Sequence, residues 1–101
     1  MNMEIEVRAG NENLDLARMG SRAMTAYFRH TPPEKVVQPD MPEMIEIEGL
    51  RYVVVHRAGN VLAVFRVQNT GQLRRMRRPP KPLLAHYKQR QDQQQEGQAD
   101  E

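Results

Sequence analysis

Residues 44–78, MIEIEGLRYVVVHRAGNVLAVFRVQNTGQLRRMRR, constrain the fold more than any other stretch of the chain. Ile45 and Ile47 alternate with Glu46 and Glu48. In the next run Leu50, Tyr52, Val54 and His56 share one face, and Arg51, Val53, Val55 and Arg57 the other. Val61, Ala63, Phe65 and Val67 then alternate with Leu62, Val64 and Arg66. A side-chain period of two is that of a strand, and the β-branched and aromatic content suits a pleated, packed surface. Gly49, Gly59 and Gly71 fall between the runs, where hairpin turns need a residue at ease with positive φ. The spacing predicts strands over 44–48, 50–57, 61–68 and 72–77, joined as an antiparallel meander.

The middle of this meander is apolar on both faces: Val53, Val54 and Val55 are consecutive, as are Val61 to Phe65. A sheet with one wet face would be polar at every second position, so both faces here require a cover. One cover is a helix over 14–28. Asn11 or Asn13 can cap it, Glu12 and Asp15 suit its positive end, and two adjacent lines of residues (Leu14, Ala17, Ser21, Met24, Phe28; Leu16, Met19, Ala23, Tyr27) give a broad apolar stripe. Gly20 would allow close approach to the sheet. The second cover is left to the curl of the sheet, another element of the chain, or a partner chain, a homodimer among them.

The rest of the chain frames this unit. Residues 3–8 alternate weakly and suit a short edge strand. Thr31-Pro32-Pro33 stops the helix, and residues 31–43, with Pro32, Pro33, Pro39 and Pro42, form a connector. Val36 and Val37 are candidates to tuck against the core. Pro79-Pro80-Lys81-Pro82 ends the sheet, and residues 83–89 suit one or two helical turns docking through Leu83, Leu84 and Tyr87. From about Gln91 the chain is Gln-rich, acidic and almost free of apolar residues, which predicts a disordered tail over 91–101. The expected architecture is α+β: a single domain over 1–90, with one amphipathic helix packed on a curved antiparallel β-meander of four to five strands.

Composition excludes several chemistries. The chain has no cysteine, and His30, His56 and His86 stand far apart outside any metal-ligand spacing. Glycine-rich phosphate loops are missing, and the one serine, Ser21, lies on the apolar stripe. No catalytic residue, cofactor or metal ligand is therefore assigned, and a non-enzymatic protein is expected. No apolar run approaches the length of about 20 residues that spans a bilayer, and the N-terminus does not read as a signal peptide, so a cytoplasmic protein without membrane contact is expected.

Charge is the functional signal. Residues 1–48 hold five Lys or Arg against nine Asp or Glu, residues 49–90 hold ten against none, and residues 91–101 hold none against four. Blocks of one sign are often only solvated surface, and arginines on an edge strand also block aggregation. A 42-residue segment without an acid nevertheless predicts a positive surface that attracts polyanions. Its candidate binding residues are Arg51, Arg57, Arg66, Arg74, Arg75, Arg77, Arg78 and Lys81. The arginine fork pairs with phosphates and with carboxylates. Two partners follow: nucleic acid on a basic sheet surface, or an acidic protein surface met by an inhibitor, adaptor or dimerising subunit. A strand, a helix and a basic meander in that order also loosely resemble the small ribonuclease toxins of toxin–antitoxin pairs. That resemblance implies roles for Tyr52, His56, Arg57 and Arg66, although those toxins usually place two helices before the sheet.

Overall fold

The computed structural model describes residues 5–9 and 13–99, with side chains through Gln93. Strand β1 (Ile5–Ala9) leads to helix α1 (Leu14–His30) and a 3-10 turn (Pro33–Lys35). The meander follows as β2 (Glu43–Ile47), β3 (Leu50–Arg57), β4 (Asn60–Val67) and β5 (Leu73–Arg75), and helix α2 (Lys81–Ala99) closes the chain. The five strands form one antiparallel sheet in the order β1-β2-β3-β4-β5, with β1 and β5 at its edges. The α+β class and the meander are thus as the period-two pattern predicts. Gly49, Gly59 and Gly71 all stand at positive φ in the hairpin turns.

Helix α1 begins where Asn13 Oδ1 accepts from Leu16 N at 2.9 Å. Its Leu16, Ala23 and Tyr27 pack with Met44, Val53, Val55, Ala63, Phe65 and Val67 on one face of the sheet. Gly20 is buried against Pro42 of the connector rather than against the sheet, where a Cβ would sit at an ordinary 3.5 Å. The opposite face, built from Ile45, Ile47, Tyr52, Val54 and Val64, is covered by Leu83 and Tyr87 of α2. The second cover that the valine-rich strands demand is therefore the chain's own C-terminal helix, and the sheet lies between two helices. Fully burying each valine or leucine at this double interface contributes about 1.5–3 kcal/mol.

Helix α2 is longer than the one or two turns expected. Its backbone runs past Gln91, the point from which composition predicts a disordered tail, as far as Ala99. That tail falls largely on residues whose side chains, or whose whole placement, lie outside the described set. The connector is fastened at two points. The Tyr27 hydroxyl accepts from Val37 N at 3.0 Å and donates to Val37 O at 3.2 Å, and Asp40 N donates to the His56 carbonyl at 2.8 Å. Val36 packs on the core, while the Val37 side chain is exposed. Among the described residues no helix is long and apolar enough to cross a membrane.

Candidate polyanion-binding groove

The meander brings the arginines together at its outer edge. Short strand β5 pairs with the end of β4, setting Arg66 directly opposite Arg74, Phe65 opposite Arg75 and Val67 opposite Leu73. Directly opposed residues share a face of a sheet. Arg66 and Arg74 therefore lie on the α2 face with Tyr52, and Arg75 lies on the α1 face with Phe65. One further bond, from Met76 N to Val64 O at 2.9 Å, carries the chain along β4 before Arg77 and Arg78 lead it away to Pro79. Arg66, Arg74, Arg75, Met76, Arg77 and Arg78 line an open groove of about 700 Å³.

None of these five arginines has a hydrogen bond or ion pair among the described residues. Two like charges directly opposite each other on neighbouring strands destabilise the pair. The Arg66–Arg74 juxtaposition therefore opposes folding in isolation and is relieved by any anion laid between the two. A trough lined by Arg75, Met76, Arg77, Pro79 and Leu84 continues from the groove towards Val61. It reaches the start of α2, whose first turn contains no acid, so the positive end of the helix dipole adds to the field.

The other predicted residues lie elsewhere. Arg51, on the α1 face opposite Glu46, borders a recess shared with Glu6, Asp15 and Glu46. Arg57, at the far end of β3, pairs with Asp40 Oδ1 at 3.3 Å. Lys81 opens α2 and is exposed. Five of the eight predicted residues thus share one groove. Tyr52, His56, Arg57 and Arg66 do not gather: Arg66 stands opposite Tyr52, while Arg57 stands opposite Asn60 at the other end of the same strand pair. Tyr52 and His56 are both buried.

A second polar cluster, not foreseen from the sequence, fastens α2 to the sheet. Glu43 Oε1 accepts from the Tyr87 hydroxyl at 2.7 Å and from Arg90 at 2.5 Å, and it lies 3.3 Å from His56 Nε2. The Arg90 guanidinium also sits 5.0 Å from the centre of the Tyr87 ring. Burial pushes the Glu43 carboxyl up, but the bonds from Arg90 and Tyr87 outweigh it and hold the group below its usual range. Burial, then the bond to Glu43, keeps the Tyr87 hydroxyl protonated far above its ordinary range. His86, edge-on to Tyr87, is pushed down by burial and then by Arg90. Both ring nitrogens of His56 are buried without a hydrogen bond in this arrangement. No local motif announces the cluster, because Glu43 and its α2 partners are 44 and 47 residues apart.

No protein-family model, curated protein or solved structure matches the chain. Among the described residues no group of three or more His, Asp or Glu side chains is placed to hold a metal ion. What the groove can do follows from its geometry: it offers several planar, permanently charged donors to the phosphates or carboxylates of a polyanion.

Proposed function

We propose that the protein is a non-enzymatic nucleic-acid-binding protein that holds phosphates in the arginine groove along the β4–β5 edge. The observation that carries the proposal is the convergence of Arg66, Arg74, Arg75, Arg77 and Arg78 on one concave surface without an acidic partner among the described residues. The groove takes the place of the open sheet face foreseen for this role, since helices cover both faces. An acidic protein surface is the second reading, supported by the same fork chemistry. Its separate support, an apolar face in need of a partner chain, is met by α2 within the chain itself.

Anisotropy titrations of labelled nucleic acid at several salt concentrations test the proposal. Each neutralised phosphate contributes about −0.9 to the slope of log affinity against log salt, so engagement of the groove gives a slope of roughly −4. A slope near zero, or no binding at about 50 mM salt, rejects nucleic acid and leaves the acidic protein surface.

A further inference from the structure

Resting on that reading, we infer that the nucleic acid is single-stranded: its phosphates lie in the arginine groove and its unpaired bases turn into the apolar trough along the free edge of β4. The free edge follows from unequal strand lengths. Strand β4 has eight residues and β5 three, which cover only Phe65 to Val67. The last bond across this edge runs from Met76 N to Val64 O, and Arg77, Arg78 and Pro79 then take the chain away. Among the described residues no strand follows the outer side of Val61 to Ala63.

The trough left there has a volume of about 550 Å³ and, unlike the groove, is lined mainly by apolar residues. Val61, Leu62, Pro79 and Leu84 belong to the trough alone, whereas Arg75, Met76 and Arg77 line both it and the groove. Leu84 is 40% exposed, although Leu83 beside it is fully buried in the core. Single exposed apolar residues are ordinary on a protein surface; these line one concavity that opens directly onto cations. Such a pair of cavities suits an occupant that carries anions at short intervals with a flat apolar face beside each, which is the make-up of a chain of unpaired nucleotides.

Base pairing decides the form. In a duplex the base faces are stacked on their neighbours and only the edges are presented in the grooves. A duplex therefore meets the arginines and leaves the trough empty. In a single strand every base offers its π-face, and aromatic side chains are the usual platform for it. The trough has no aromatic residue. The Met76 thioether and the guanidinium planes of Arg75 and Arg77 provide the alternative, since sulfur and cations both make favourable contacts with aromatic rings. Such a platform accepts any base, so little sequence preference is expected.

The test measures anisotropy with the full chain at about 100 mM salt. The ligands are a labelled single strand of about ten nucleotides, an abasic strand of equal length and charge, and a duplex of the same sequence. The set is made in DNA and in RNA chemistry, since both present unpaired bases. In at least one of the two, the natural strand is expected to bind at least about tenfold more tightly than the abasic one, the effect of one or two docked bases. Leu84→Gln, at an exposed helical position, is expected to weaken the natural strand at least about threefold while leaving the abasic strand and the duplex unchanged. Equal affinity for natural and abasic strands overturns base docking but leaves phosphate binding in the groove standing. A Leu84→Gln variant with no loss, or with the same loss for all three ligands, overturns the trough as the place where bases dock. Binding to none of the three overturns both readings.

Discussion

The two ends of the β3–β4 pair hold the same residue type in opposite situations. At one end Arg57 bonds to Asp40, whose other carboxylate oxygen accepts from Ala58 N at 2.8 Å. At the other end Arg66 faces Arg74, and neither has an ion pair among the described residues. The difference comes from the connector. It passes the Arg57 end and delivers Asp40 there and Glu43 just beyond, so Arg57 and Arg90 are spent on holding the chain together. No acidic segment is delivered to the β4–β5 edge among the described residues. An arginine is structural or available according to which distant carboxylate the fold brings to it, and the groove is where none arrives.

The largest effect expected from this contrast comes from reversing the groove. Replacing Arg74, Arg75, Arg77 and Arg78 with Glu should weaken duplex DNA binding by at least about a hundredfold at moderate salt, since four phosphate contacts become repulsions. All four residues are exposed, so the thermal midpoint should move little. Retained affinity would show that the groove is not the site. A collapse of the midpoint would show that these arginines are structural, like Arg57.

Next comes the fastening of α2. Glu43→Ala strands the Tyr87 hydroxyl, which is buried, and Arg90, which is half-buried. Removing one member of a buried charged network costs about 2–4 kcal/mol. Urea unfolding should report that loss, while the folded variant keeps its affinity for DNA. A change below about 0.5 kcal/mol would mean that apolar packing of Leu83 and Tyr87 alone holds the helix.

Acid should separate the two regions a third way. Glu43 titrates below its ordinary value of 4.5 in the fold, so its stabilisation is complete above that pH and is lost as pH falls through the lowered value. His86 prefers its neutral form in the fold, so protonating it from about its ordinary 6.5 downward also opposes folding. Both act on α2. Amide protection along α2, corrected for the intrinsic exchange rate, should therefore fall from pH 6.5 downward and more steeply below 4.5. Uniform protection of α2 down to pH 4 would contradict this assignment.

The sheet was legible because its signals are local. Alternation and three glycines place β2, β3 and β4 to within one residue of 44–48, 50–57 and 61–68, and the facing of Leu73 and Arg75 against Arg74 and Met76 follows from the same period. The need for two covers was legible in Val53–Val55, and docking through Leu83 and Tyr87 was expected, but that these residues supply the second cover was not. Among the described residues helix α2 buries only Leu83 and Tyr87, a pair too sparse to register as an amphipathic stripe. Its polar anchor, Glu43, opens β2 at the end of the stretch read from sequence as connector, where one more acid has no pattern to distinguish it. Counting charge by segment found the groove's arginines but also included Arg51, which borders a recess with Glu6, Asp15 and Glu46, and Arg57, which pairs with Asp40, because the fold brings acids of other segments to them.

Arg57 supplies the smallest effect and the sharpest form of the comparison. It belongs to the same acid-free segment as the groove residues, and by sequence it is as good a candidate as Arg66. Its guanidinium is already paired with Asp40 and bonded to the Gln38 carbonyl at 3.5 Å, so an incoming phosphate would have to displace both. It stands at the opposite end of β4 from Arg66, with Asn60 as its cross-strand neighbour. Charges separated by more than the screening length of about 8 Å at physiological salt contribute little to each other's ligands. Arg57→Ala should therefore change duplex affinity by less than about twofold and leave the salt slope intact, whereas Arg66→Ala should reduce the slope by nearly one unit. Equal effects of the two substitutions would mean that the binding surface extends across the sheet, and that the Asp40 pair opens when nucleic acid arrives.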